Sequence, residues 1–144
     1  MIGFLSCKIN DSSLVQIITF DELEKTYKID GIQLVDVRTA DEYNKGHIKN
    51  ALNIDFLDSN FELNTQKLDK NKPVIVYCQR GSRSSKSATK LLENAFVKVY
   101  NLKGGFSKWL SEGRSVEKWL SYLHRGVGYA PLFVSAFKVA TATS

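Results

Sequence analysis

Apolar and polar positions alternate in blocks along the chain, and the blocks change period from strand-like to helix-like and back. Leu14-Val15-Gln16-Ile17-Ile18 reads as a strand. Thr19-Phe20-Asp21-Glu22 follows with the spacing of a capping box, in which a Thr hydroxyl caps the helix start and a Glu three residues on reaches back, so a short helix is predicted to about Tyr27. Ile32 to Val37 is a second, largely apolar strand of the kind covered on both faces. Thr39-Ala40-Asp41-Glu42 repeats the capping pattern and predicts a helix over Asp41 to Lys45, stopped by Gly46. Ala51 to Ile54 suits a short strand, and Asp55 to Asn71 is polar with scattered apolar residues, predicting helix and loop. Pro73-Val74-Ile75-Val76-Tyr77-Cys78 is the clearest strand. Beyond a small, polar stretch from Arg80 to Ser85, Ala88, Leu91, Leu92 and Ala95 lie on one face of a helix over Lys86 to Asn94. Phe96 to Tyr100 reads as a further strand, and a Gly104-Gly105 turn leads into a helix with Phe106, Trp109 and Leu110.

Alternating strands and helices with apolar central strands define an α/β class, a mainly parallel sheet flanked by helices. Its expected extent is 14–112, with 1–13 an N-terminal extension and 113–144 a separate tail. In the tail, Val116, Trp119, Leu120 and Leu123 have i, i+3, i+4, i+7 spacing, predicting an amphipathic helix over Ser115 to His124. Gly126 to Ala140 is apolar but shorter than the ~18–20 residues a membrane span requires. Packing on its own domain is the expectation for this stretch; a homodimer through the tail and contact with a membrane surface are the alternatives.

Composition narrows the function classes. The 144 residues suit one domain with a real core, and 43% apolar with 24% charged residues is an ordinary globular balance. Twenty Lys and Arg against fifteen Asp and Glu give a net charge of +5, which favours anionic partners. The basic residues are spread along the chain, so nucleic acid ranks low. Two cysteines, Cys7 and Cys78, are too few for a disulfide framework, and with only His47 and His124 no metal site is expected. Met1 to Cys7 lacks the charged and apolar regions of a secretory signal, although Phe4-Leu5-Ser6-Cys7 faintly resembles the end of a lipoprotein signal. A cytoplasmic location is the simplest expectation.

Chemistry concentrates at Cys78-Gln79-Arg80-Gly81-Ser82-Arg83-Ser84, between the best strand and a good helix. In open α/β sheets ligands bind beyond the carboxyl ends of strands, where a helix start offers unpaired N–H groups. A loop curled around the Cys78 sulfur would aim those groups at it and favour thiolate over thiol. Gly81 lets the loop tighten, and Arg83 brings a permanent charge and a planar fork for oxyanions, with Arg80 at the rim. The alternative is a Cys that merely fills the core at a strand end.

This loop resembles the active-site loop of the rhodanese family, in which a Cys is followed by Gly three residues on and Arg five residues on. Leu34 to Arg38, Glu42-Tyr43 and Gly46 to Ile54 resemble the signature of the first half of a rhodanese domain, and Leu102 to Phe106 with Trp109 resembles its closing signature. The match runs from about Ile17 to Ser111. The resemblance implies a sulfurtransferase: Cys78 takes a sulfane sulfur from thiosulfate or a persulfide and passes it to a thiol or cyanide, with no metal or organic cofactor. It implies that Gln79, Arg80, Gly81, Ser82, Arg83 and Ser84 cradle the donor, that Asp36 and Arg38 brace the loop, and that His47 is a turn residue rather than a base. Glu42 is a candidate partner for an Arg. Expected partners are a small sulfur-donor anion and a thiol acceptor such as a thioredoxin-like protein. Asn50 departs from the family's usual Gly, mildly, since Asn tolerates left-handed backbone. Two other readings remain: a sulfur-carrier or protein-interaction module, and a phosphatase or arsenate reductase of related fold, which carry one more residue between Cys and Arg.

Overall fold

The computed structural model describes residues 15–26 and 31–118. Five strands form one parallel sheet in the order β1-β5-β4-β2-β3: β1 (Gln16–Ile18), β2 (Gln33–Asp36), β3 (Leu52–Asn53), β4 (Val74–Tyr77) and β5 (Val99–Leu102). Helices α1 (Phe20–Thr26), α2 (Ala40–Lys45), α3 (Phe61–Thr65), α4 (Ser82–Glu93) and α5 (Gly105–Ser111) connect or follow the strands. The expected α/β class with a parallel sheet flanked by helices is what forms.

Strand parity divides the core. Val74, Val76 and Cys78 point to one face with Val35 and Val37, against Phe61 of α3 and Ala88 and Leu91 of α4. Ile75 and Tyr77 point to the other with Leu34 and Leu102, against Leu23 of α1 and Phe106 and Trp109 of α5. Central β4 is therefore wholly buried, as its continuous apolar run requires. Cys78 continues the parity of Val74 and Val76, so its side chain emerges on the α4 side, just beyond the end of β4.

Three boundaries differ from the pattern-based expectation. Helix α4 begins at Ser82, four residues before the predicted Lys86. Ser-rich sequence is a weak helix former, but here Ser84 Oγ donates to Gly81 O at 3.1 Å and Ser85 N to Gly81 O at 2.9 Å, which closes the first turn. Strand β5 is shifted to Val99–Leu102 because Phe96 belongs to the end of α4. Ala95 takes left-handed φ of 65°, Ala95 N bonds Leu92 O, and Phe96 N bonds Leu91 O at 3.1 Å, a Schellman ending sealed by Phe96 and Leu91 in the core.

The predicted helix from Ser115 does not start there. Residues 115–118 are non-helical, and His47 and Glu117 exchange two backbone bonds of 2.9 Å in an isolated antiparallel bridge. Val116 packs over Gly46 and against the α1/α5 core face, so the apolar spacing served a strand-like contact at this point. Residues 119–124 of that expected helix, the apolar stretch after it and the N-terminal extension to Leu14 lie outside the described residues. Among the described residues no helix is long and apolar enough to cross a membrane.

Candidate active site

The site forms where β4 runs into α4. Cys78 is buried at 2% exposure, and its chain makes a tight turn through Gln79, Arg80 and Gly81 before helix α4 begins. Gly81 stands at φ 113°, a left-handed value that a side chain would strain, and this turn brings Gly81 N to 3.1 Å from Cys78 Sγ. From the first turn of α4 the Ser84 hydroxyl donates to the same sulfur at 3.5 Å. Burial pushes the Cys78 thiol up. The Ser84 hydroxyl and the backbone N–H groups of Ser84, Gly81 and Arg80 outweigh it and hold the thiol below its ordinary value.

A second layer fixes the turn from below. Arg38, 2% exposed, donates from Nε and Nη2 to the fully buried Asp36 carboxylate at 2.5–3.0 Å and from Nη2 to Gly46 O at 2.8 Å. Its guanidinium lies 3.8 Å from the Phe106 ring centre. Its remaining arm, Nη1, donates to Gln79 Oε1 at 3.3 Å, and Gln79 Nε2 donates to Ser107 Oγ at 2.8 Å. Both ends of the half-buried Gln79 amide are thus bonded to the scaffold. Helix α5 grips the main chain as well: Phe106 N bonds Cys78 O at 2.8 Å and Ser107 N bonds Gln79 O at 2.9 Å. Only glycine admits this approach at 105, since a Cβ there would lie 2.4 Å from Cys78 O.

Arg83 lies in the first turn of α4 and meets Glu42 of α2 in a bidentate pair, Nη1 to Oε2 at 2.7 Å and Nη2 to Oε1 at 2.8 Å. The Arg83 hydrogen bond, together with bonds from Thr39, overcomes partial burial and holds the Glu42 carboxyl at about 2. Glu42 also accepts from Thr39 N and Thr39 Oγ1 at 3.1 Å, completing the predicted capping box. Arg80 and Ser82 are exposed at the rim.

Sequence reasoning named Glu42 only as a candidate Arg partner and missed Ser107, Tyr77 and Gly105 as supports of the turn. Burial, and then the Asp36 carboxylate, keep the Tyr77 phenol above its ordinary range. Its oxygen accepts from Ile48 N at 3.1 Å, anchoring the segment that carries His47. His47 is buried, stacks on Tyr43 at 3.7 Å, and has Nδ1 3.0 Å from Tyr43 O, which suits a turn residue. Asn50 does adopt left-handed φ, 60°. No cluster of three or more His, Cys, Asp or Glu side chains able to hold a metal occurs among the described residues.

A thiol at the end of a central parallel strand, met by N–H and O–H donors of the turn that follows and with an Arg five residues on, defines the class. The chain belongs to the rhodanese-like domain family, whose model matches residues 19–112. Among its relatives is the uncharacterized protein YqhL of Bacillus subtilis (strain 168), 34% identical over 109 residues, covering 76% of this chain and 83% of that one. Thiosulfate sulfurtransferase GlpE of Coxiella burnetii is 42% identical over 78 residues, 54% of this chain and 71% of the relative. The solved structure of the BH2092 protein from Bacillus halodurans matches with a TM-score of 0.65 and 33% identity, covering 74% of this chain and 79% of that one.

Proposed function

We propose that the protein is a sulfurtransferase that carries sulfane sulfur as a persulfide on Cys78. The observation that carries this reading is the ring of donors, Gly81 N at 3.1 Å and Ser84 Oγ at 3.5 Å, converging on one buried sulfur. Such a ring stabilises negative charge on the thiolate before transfer and on the outer sulfur after it. With thiosulfate, the Cys78 thiolate attacks the outer sulfur; a Cys78 S–S bond forms, the donor S–S bond breaks, and sulfite leaves with the electron pair. An acceptor thiolate or cyanide then attacks the outer sulfur of the persulfide, and the Cys78 thiolate departs, restored. Neither step needs a redox partner or a metal. The acceptor in this reading is a small thiol or a thioredoxin-like protein, and the compartment is cytoplasmic.

Intact mass measured after incubation with thiosulfate tests the proposal. One added sulfur on the wild type, removed by cyanide or a thiol and absent from Cys78→Ser, is the expected result. A folded, reduced protein that gains no sulfur from thiosulfate or from a persulfide refutes it.

A further inference from the structure

Of the two cations in the loop, Arg83 is already engaged. Both terminal nitrogens of Arg83 face the two oxygens of Glu42, so the pair carries little net charge in the turn of α4 from which Ser84 meets the sulfur. Arg80 stands exposed at the rim, where water and salt screen its charge. The turn itself supplies N–H and O–H donors, which hold one negative charge well and a second poorly once thiolate and donor are both anionic.

Resting on the sulfurtransferase reading above, we infer that Glu42 sets the charge preference of the donor site, by neutralising Arg83 through their bidentate pair, in favour of singly charged sulfane-sulfur donors over doubly charged ones. Glu42 is a positioning residue in this role, since it acts through Arg83. The substrate class this implies is a persulfide or thiosulfonate carrying one negative charge near the sulfur, with thiosulfate the poorer member.

Two donors separate the cases. Benzenethiosulfonate is a monoanion that delivers its outer sulfur to the Cys78 thiolate and leaves as benzenesulfinate. Thiosulfate is a dianion that does the same and leaves as sulfite. Glu42→Gln keeps an acceptor oxygen for Arg83 and for the Thr39 cap, since Gln serves a capping box as Glu does, while removing one negative charge. The ratio of kcat/KM for thiosulfate to that for benzenethiosulfonate is expected to rise about fivefold in Glu42→Gln, with the gain shrinking in ~0.5 M salt. A merely structural role would lower both donors by the same factor and leave the ratio flat, which overturns the inference. Arg83→Gln removes the cation and leaves the Glu42 carboxylate unneutralised at the same place, so it is expected to lower the ratio. An unchanged or higher ratio in Arg83→Gln overturns the inference even if Glu42→Gln folds poorly. A wild type that takes sulfur from neither donor refutes the sulfurtransferase reading itself, and this inference with it.

Discussion

Ser84 occupies the position from which one side chain can both build a helix start and tune a thiol. Its hydroxyl lies 3.1 Å from Gly81 O and 3.5 Å from Cys78 Sγ, so its one proton is shared between closing the first turn of α4 and donating toward the sulfur. It is the largest of the influences that lower the Cys78 thiol against the opposing effect of burial. Ser84→Ala removes that donor and leaves the backbone N–H groups. The sign follows: with less stabilisation of the thiolate, the Cys78 pKa rises, and the fraction ionised at neutral pH falls. The expected outcome is a persulfide-loading rate reduced about three- to tenfold near pH 7 and recovered at alkaline pH, read from loading rates across a pH series. A pH profile superimposable on the wild type would show that the hydroxyl does not act on the sulfur. The engaged Gln79 side chain makes the complementary point. Next to the nucleophile, its amide accepts from Arg38 and donates to Ser107, which ties the turn to β2 and α5.

At the level of elements, two helices define the turn from opposite sides. α4 delivers donors to the sulfur, and α5 delivers N–H groups to the carbonyls of Cys78 and Gln79. The second contact depends on close approach at Gly105, which stands at φ 58° with no room for a Cβ. Gly105→Ala therefore meets backbone, which cannot swing aside, and adds left-handed strain. It is expected to destabilise the fold by about 2–4 kcal/mol and to cost persulfide loading well beyond that of a surface variant. Thermal unfolding and loading on the same sample check both halves. The Arg38–Asp36 pair ties α5 to the end of β2 through the Phe106 ring and Gln79, so movement of α5 would be felt at the nucleophile.

Across the whole molecule, ion pairs fasten segments that the sheet does not. Glu42–Arg83 links α2 to α4, and Arg114 pairs with Asp21, Glu24 and Glu112, lying over Phe20 and Trp109, which holds the chain after α5 against α1. Glu42 gives this a pH signature. Its folded value of about 2 lies below the 4.5 of an unperturbed Glu, so the stabilisation is present above pH 4.5 and is lost as pH falls toward 2. After screening for its partial exposure, about 1–2 kcal/mol should disappear over that window. In acid titrations followed by thermal unfolding, Glu42→Gln should lose less stability than the wild type between pH 5 and pH 2.5. Equal losses would mean that the pair contributes nothing to folding.

Much of this architecture was legible in the chain because it rests on short-range rules. The continuous apolar run before Cys78, the Thr39 to Glu42 capping box and the Gly three and Arg five residues beyond the cysteine are local patterns. They were enough to predict an α/β domain, a nucleophile at a strand end and an oxyanion-suited loop after it. The start of α4 at Ser82 escaped because its first turn is stabilised by a side-chain bond from Ser84 to Gly81 O that no propensity scale contains. The antiparallel pairing of Glu117 with His47 escaped because helical spacing and a packed extended segment can place the same apolar residue against a core. What the tertiary structure alone decided were the partners across long separations: Gln79 with Arg38 and Ser107, Gly105 against Cys78, and Glu42 on Arg83. Those contacts join residues 27 to 41 positions apart, and only the parallel stacking of β2, β4 and β5 brings them within reach of one another.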